Sequence, residues 1–252
     1  GAGRAVLFAP FSRKKKEEQQ DNGAYGKMQE RSIAIDGPAG AGKSTLARAL
    51  AQELGYLYVD TGAIYRTVAL RVREAGADPS NPAQVESLLE GLDIRMDYGE
   101  DGVQRMYLSG RDVTEAIREN AVSALASQVA ALPAVRDFLL DFQRRQARER
   151  DVVMDGRDIG TVVLPRARVK IFLTAAPEAR AERRLLELRQ RGQDAAFDTV
   201  LSDIIRRDEQ DRNRAIAPLR QAEDAVLLDT TRLDRAGSLE ALLAIVRERL
   251  PQ

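Results

Sequence analysis

An apolar run and a glycine-rich loop follow one another near the start of the chain: Ser32-Ile33-Ala34-Ile35-Asp36, then Gly37-Pro38-Ala39-Gly40-Ala41-Gly42-Lys43-Ser44-Thr45. The second stretch matches the phosphate-binding pattern G-x-x-x-x-G-K-[ST], and helix-forming residues continue from it to Leu54. A strand, such a loop and a helix in this order direct backbone N–H groups at an anion from a helix N-terminus. The stretch therefore predicts a nucleotide-binding α/β protein.

The loop assigns separate roles to its last residues. Lys43 is predicted to place a positive charge on the β- and γ-phosphates, and the Ser44 hydroxyl to be a ligand of Mg²⁺. ATP with Mg²⁺ is the predicted phosphoryl donor, while the loop alone leaves GTP open. A glycine-rich turn without a ligand is the alternative for an isolated match. The predicted ATP-binding residues are Gly37, Pro38, Ala39, Gly40, Ala41, Gly42, Lys43, Ser44 and Thr45.

Short β-rich apolar runs alternate with helical stretches from residue 31 onward, which is typical of a parallel sheet flanked by helices. We expect five parallel strands, with the functional loops at their carboxyl ends. The predicted strands are Ser32 to Asp36, Leu57 to Asp60, Val152 to Asp155, Val169 to Leu173 and Val226 to Leu228. The predicted helices are Lys43 to Leu54, Thr61 to Glu74, Pro177 to Arg191 and Ser238 to Leu250.

The alternation stops between about residues 91 and 150. Two apolar runs, Leu92 to Met96 and Val103 to Leu108, flank Asp101-Gly102, a strong hairpin turn signal. Helices are expected after them, from about Thr114 to Arg150, with a break at Pro133. A hairpin does not belong in a parallel sheet, so we predict one domain, 31–252, with a core of 31–90 and 150–252 and an inserted subdomain at 91–149.

The composition excludes several kinds of chemistry. The chain has no Cys and no His, which removes thiolate nucleophiles, disulfides, imidazole bases and the usual zinc ligands. Its 39 basic and 39 acidic side chains cancel, so net charge argues for neither a nucleic-acid nor a membrane partner. No apolar run approaches the roughly 20 residues of a membrane span, and we expect a cytoplasmic protein. Residues 1 to 30 have no sustained periodicity and are predicted to be a flexible tail.

Three further motifs fall where loops at the carboxyl edge are expected: Thr61-Gly62-Ala63-Ile64-Tyr65-Arg66, Asp155-Gly156-Arg157-Asp158-Ile159-Gly160-Thr161-Val162-Val163, and Arg207-Asp208-Glu209-Gln210-Asp211-Arg212-Asn213-Arg214. With the phosphate-binding loop, this set resembles the bacterial cytidylate kinase family over about residues 31–250, including Ala126-Ser127-Gln128-Val129-Ala130. The resemblance implies a P-loop kinase fold, a nucleoside-monophosphate-binding insert, and a lid with an Arg-rich arm at about 183–214. It also implies ATP-dependent phosphoryl transfer to CMP or dCMP, and a monomer is expected.

The resemblance assigns roles position by position. The implied ligands of CMP are Thr61, Arg66 and Arg157 at the phosphate, Ser127, Arg136 and Asp158 at the cytosine edge, and Arg207 and Asp211 at the ribose and phosphate. The implied catalytic residues are Lys43, Arg157, Arg207 and Arg214, the last assisted by Arg183 or Arg184. Thr61 stands where the family more often has Ser, which keeps the hydroxyl.

The absence of His fits this chemistry. Phosphoryl transfer depends mainly on positioning and on neutralising spread negative charge, and an acceptor phosphate is already deprotonated at neutral pH. The sequence also predicts a carboxylate at the end of two strands, Asp155 and Asp36, whose roles differ. Asp155 suits a magnesium-bound water as well as a turn, and Asp36 is predicted to be structural.

Each Arg-rich motif also has a structural alternative. Arg66 could be a solvated helix residue, Arg157 could pair with Asp158, and residues 206–214 could form a charged helix face with i,i+4 pairs.

Other functions on the same fold remain to be separated. Another small-molecule kinase, acting on UMP, AMP or shikimate, is the nearest rival because fold does not fix substrate. The insert and Asp158 favour CMP, since a carboxylate attracts the cytosine amino group and repels the uracil carbonyl. A non-catalytic nucleotide- or RNA-binding module is the second rival. Zero net charge, 5% aromatic residues and the intact Lys43-Ser44 pair argue against it.

Overall fold

The computed structural model describes residues 31–250. The tail predicted for residues 1–30 lies outside the described residues. The strands are, in chain order, β1 (Ile33–Asp36), β2 (Leu57–Asp60), β3 (Ile94–Tyr98), β4 (Gln104–Leu108), β5 (Arg111–Asp112), β6 (Val152–Gly156), β7 (Val169–Thr174) and β8 (Val226–Asp229). The helices are α1 (Lys43–Leu54), α2 (Thr61–Glu74), α3 (Pro82–Leu89), α4 (Asn120–Val129), α5 (Pro133–Glu149), α6 (Pro177–Gln190), α7 (Phe197–Asn213) and α8 (Arg235–Arg249).

These residues divide into two compact units. The sheet unit comprises residues 31–61 and 140–250, and the hairpin unit comprises 62–139. The hairpin unit is not bounded as the predicted insert at 91–149 is, because α2 and α3 belong with the hairpin while residues 140–149 belong with the sheet. No helix of residues 31–250 is long and apolar enough to cross a bilayer.

The sheet unit contains the predicted five-stranded parallel sheet, in the order β2-β6-β1-β7-β8. All five strands were predicted to within one residue at each end. β1 is central and buried along its whole length, as its apolar run requires. The register aligns Asp36 with Gly156 and Asp60 with Asp155. The sheet thus collects its carboxylates at one edge.

Helices α1 and α8 pack on each other and on the sheet, with Leu50, Ile171 and Leu242 in their shared core. α8 begins three residues before the predicted Ser238, because Asp234 caps it by accepting a hydrogen bond from the Gly237 N–H at 2.7 Å. The helix was predicted to begin later because Gly237, a poor helix former, lies in its first turn.

The hairpin unit contains the predicted antiparallel pair, β3 with β4, and its turn at Asp101-Gly102. Asp101 accepts from the Val103 N–H at 3.0 Å, and Gly102 takes a positive φ of 69°. The turn pairs Tyr98 with Gln104, so β3 lies two residues later than predicted. β5 was not predicted, since it is two exposed residues long. The chain breaks before Pro133 as expected, and α5 begins there.

Gly37 has the least room for a side chain among the glycines of residues 31–250. Its φ is +156°, and a Cβ there would lie 1.9 Å from the Leu173 carbonyl oxygen of β7. The clashing atom belongs to the backbone of β7, so no flexible side chain could move away to relieve the contact. The loop therefore reaches its place beside the sheet only with glycine at this position.

We predict that Gly37→Ala lowers the free energy of unfolding by about 3 kcal/mol or more, since a backbone clash adds to conformational strain. Gly55→Ala is the matched control, because Gly55 also has positive φ but nothing lies within 4 Å of an added Cβ. It should lose only about 1 kcal/mol. Urea unfolding followed by circular dichroism measures both. Equal losses would mean that the loop moves to accept a side chain.

Candidate active site

The phosphate-binding loop lies at the carboxyl end of β1 and leads into α1. Gly42, with a φ of 88°, is the N-cap of α1. The first N–H groups of a helix have no partner within it and point out of its N-terminal end. Ser44 and Thr45 are exposed in this first turn. Unsatisfied amides and the helix dipole together make this end an anion site.

Lys43 is buried behind the loop, with 6% of its surface exposed, and its Nζ donates to the Pro38 carbonyl oxygen at 2.8 Å. Burial, followed by the positive charge of Arg157, lowers the pKa of Lys43 to about 7. Asp155 and Asp36 act in the opposite direction. An anion placed on the loop would favour the charged lysine, because opposite charges attract strongly in a desolvated site.

Asp155 ends up beside the loop although it follows it by more than a hundred residues. Its two carboxylate oxygens accept from Ser44 Oγ and from Tyr58 Oη, each at 3.1 Å. Burial, followed by the negative charge of the nearby Asp60, raises the pKa of Asp155 to about 6. Tyr58 was not predicted as part of the site, because nothing in its local sequence points to a partner on another strand.

Ser44 and Asp155 supply the hard oxygen donors that Mg²⁺ prefers. Among residues 31–250 no three acidic side chains are grouped to hold a metal ion by themselves. Magnesium in nucleotide enzymes takes one or two protein oxygens and completes its shell with phosphate and water. The Ser44 and Asp155 pair fits that donor set.

The loop that follows Gly156, the last residue of β6, begins with Arg157 and Asp158. Arg157 Nε donates to Asp211 Oδ2 at 2.8 Å, so Arg157 has a partner 54 residues away on α7. Asp158 is buried, with 3% of its surface exposed. Thr61 is buried as well, and its hydroxyl donates to the Asp155 carbonyl at 2.7 Å. That hydrogen bond stabilises the end of β6. The contact of Thr61 with the CMP phosphate stays a prediction.

The same loop is held in place by residues outside the motif. Asp36 accepts from the Ile159 and Gly160 N–H groups at 2.8 and 2.7 Å, which confirms its structural role. Arg144 donates to the carbonyls of Val162 and Val163, each at 3.0 Å. Burial raises the pKa of Asp36 to about 6 despite these two amides. Arg144 was missed, because an Arg in a charged helix gives no signal of its target.

The Arg-rich arm is partly brought to this loop. Arg214 lies within 4.0 Å of Asp211, which also binds Arg157. Arg207 is exposed on α7. Arg183 donates to the Thr230 carbonyl at 2.6 Å, and Arg184 pairs with Glu187 at 3.1 Å. Arg183 is thus engaged just after β8, and Arg184 is paired within α6 itself.

The remaining predicted CMP ligands belong to the hairpin unit. Arg136 Nε donates to the Ala130 carbonyl at 2.8 Å, and its guanidinium lies 5.4 Å from the centroid of the Tyr65 ring. Ser127 is exposed on α4, and Arg66 is half-buried on α2. Their roles toward CMP stay predictions.

Comparison with known proteins identifies relatives along nearly the whole described chain. The sequence pattern of the family described as "Cytidylate kinase" matches residues 33–248. A protein of that description from Geobacter sulfurreducens is 50% identical over 217 residues, which cover 86% of this chain and 93% of the relative. One from Caldicellulosiruptor bescii is 48% identical over 218 residues, covering 86% and 96%.

Solved structures include distant neighbours of the fold. A shikimate kinase from Bacteroides thetaiotaomicron is 16% identical, with a TM-score of 0.42 and coverage of 86% of this chain and 98% of its own. Nothing about the substrate follows from a similarity at that level.

We predict that binding of a non-hydrolysable MgATP analogue at pH 8 takes up a proton, because the phosphates stabilise charged Lys43. With a pKa of about 7 before binding, Lys43 should take up roughly 0.5 to 1 proton. Asp155 is already ionised at pH 8 and contributes little. Calorimetric titration in two buffers of different protonation enthalpy gives the proton count.

Lys43→Arg is the control for this measurement. Its guanidinium stays charged at every accessible pH, so its binding should take up no proton. Equal proton uptake in both proteins would mean that a group other than Lys43 takes up the proton. No uptake in the unsubstituted protein would mean that Lys43 is charged before the nucleotide binds.

Proposed function

This chain belongs to the cytidylate kinase family, and we propose which of its residues bind ATP, which bind the acceptor phosphate and which recognise cytosine. The chain transfers the γ-phosphoryl group of ATP to CMP or dCMP, giving CDP or dCDP. The observation that carries this conclusion is the match along residues 33–248, in which the phosphate-binding loop keeps Lys43 and Ser44.

ATP is bound, in this proposal, by the loop amides of residues 37–45 and by Lys43. The buried lysine neutralises charge on the β- and γ-phosphates, and its low-dielectric position makes that interaction strong. Mg²⁺, held by Ser44 with Asp155 in support, would supply further neutralisation of the phosphate oxygens. No general base is needed, because the attacking oxygen belongs to an ionised phosphate.

Arginines near the acceptor phosphate have the second role. Asp211 holds Arg157 at 2.8 Å and lies within 4.0 Å of Arg214. One carboxylate between two guanidinium groups restrains both, which lowers the entropy lost when they bind the transferring group. Arg66, Arg207 and Thr61 are each proposed to bind the CMP phosphate.

Cytosine is proposed to be recognised by Asp158 together with Arg136 and Ser127. The support for Asp158 is its burial at the carboxyl edge of the sheet. A buried carboxylate discriminates strongly between a donor and an acceptor, since a mismatched group is left desolvated and opposed. The monomeric state, the cytoplasmic location and the absence of a nucleic-acid partner stay predictions from sequence.

We predict that Asp158→Asn lowers kcat/KM for CMP by one to three decades, or about 1.4 to 4 kcal/mol, while kcat/KM for UMP falls less or rises. An amide can rotate its NH₂ toward the uracil carbonyl. A coupled assay with CMP, UMP, AMP and GMP, run on both proteins, measures these values. CMP should be the preferred acceptor of the unsubstituted protein.

Asp194→Asn, which changes an exposed carboxylate after α6, is the control and should leave all four values unchanged. If Asp158→Asn lowers CMP and UMP turnover by the same factor, Asp158 supports the loop and the base is recognised elsewhere.

A further inference from the structure

Arg180 and Asp208 form a buried two-point ion pair between α6 and α7. Their side chains are 1% and 5% exposed, and their atoms meet at 3.0 Å (Nη1 to Oδ1) and 2.5 Å (Nη2 to Oδ2). Burying two charges costs several kcal/mol of desolvation, and apolar replacements of such pairs are often equally stable or more so. Stability alone therefore does not account for the pair.

The same guanidinium binds two further segments of the sheet unit. Arg180 Nε donates to the Ala175 carbonyl, just after β7, at 2.8 Å. Nη1 also donates to the Ala39 carbonyl of the phosphate-binding loop at 2.9 Å. One side chain thus fixes the loop that holds ATP to the end of β7 and, through Asp208, to α7.

Asp208 lies one turn before Asp211 on α7. Helical residues three apart share a face, so the position of Asp208 sets the position of Asp211 and of the arginine that Asp211 binds, Arg157. The chain of contacts runs from Ala39 through Arg180, Asp208 and Asp211 to Arg157, where α7 joins Asp208 to Asp211 and one hydrogen bond joins Asp211 to Arg157.

We propose that Arg180 and Asp208 are positioning residues for phosphoryl transfer. They hold the phosphate-binding loop and α7 at one separation, so that the arginines restrained by Asp211 face the γ-phosphate of bound ATP. This rests on the proposed function and adds residues that touch neither nucleotide. Loss of geometry at a phosphoryl-transfer site lowers kcat, because misplacement by about 1 Å can cost a hundredfold.

The test is the double variant Arg180→Met, Asp208→Leu, which removes both charges and leaves neither buried alone. We expect a melting temperature within a few degrees of the unsubstituted protein, kcat lowered ten- to hundredfold, and KM for CMP changed less than threefold. Arg180→Met alone should be markedly less stable, because Asp208 is then buried without its partner. The exposed pair Arg31 and Asp151, 3.4 Å apart in the sheet unit, gives the control: Arg31→Met with Asp151→Leu should leave kcat unchanged.

Unchanged kcat in a folded Arg180→Met, Asp208→Leu protein would overturn the proposal. If that protein does not fold, Arg180→Lys decides the matter, since it keeps the charge but loses the two-point geometry. It should fold and have kcat at least fivefold lower, and normal kcat would again overturn the proposal. Failure of the proposed function would look different, because the unsubstituted protein itself would then not phosphorylate CMP.

Discussion

Charged groups are buried at the carboxyl edge of the parallel sheet, and each needs a partner that the fold brings within reach. Asp36 has two backbone amides of the loop after β6, and Asp155 has two hydroxyls. Lys43 has a carbonyl of its own loop. An unpaired buried charge costs far more than these bonds return, so the loops that carry the partners are held close to one set of positions.

The ionised carboxylate of Asp36 lowers the stability of the folded protein at neutral pH. Burial raises the pKa of Asp36 to about 6 in the folded chain, above its ordinary 3.8. The folded protein therefore binds this proton more tightly than the unfolded chain does, and the stabilisation is complete below pH 3.8 and lost as pH rises through about 6. At neutral pH the ionised carboxylate is kept at a cost. What it provides is a fixed loop, and with it a fixed Arg157 and Asp158.

Much of this architecture could be predicted from local patterns. The five strands are short β-rich runs, and the helix after the loop is specified by its helix-forming residues. The contacts that complete the site are long-range: Ser44 meets Asp155 across 111 residues, and Arg180 reaches Ala39 across 141. No periodicity encodes such pairs, which is why Tyr58, Arg144 and Arg180 could not be assigned. The exposed two-residue β5 carries too little pattern to be detected.

We propose that the buried Lys43 on the phosphate-binding loop, without any general base, is essential for charge neutralisation in phosphoryl transfer to CMP. The variant Lys43→Met tests this role by kcat for ATP and CMP in a coupled assay, alongside the melting temperature. We predict an intact fold and kcat lowered by about three decades or more, or ~4 kcal/mol of transition-state stabilisation. Near-normal turnover in the folded variant would show that Lys43 is not essential for phosphoryl transfer.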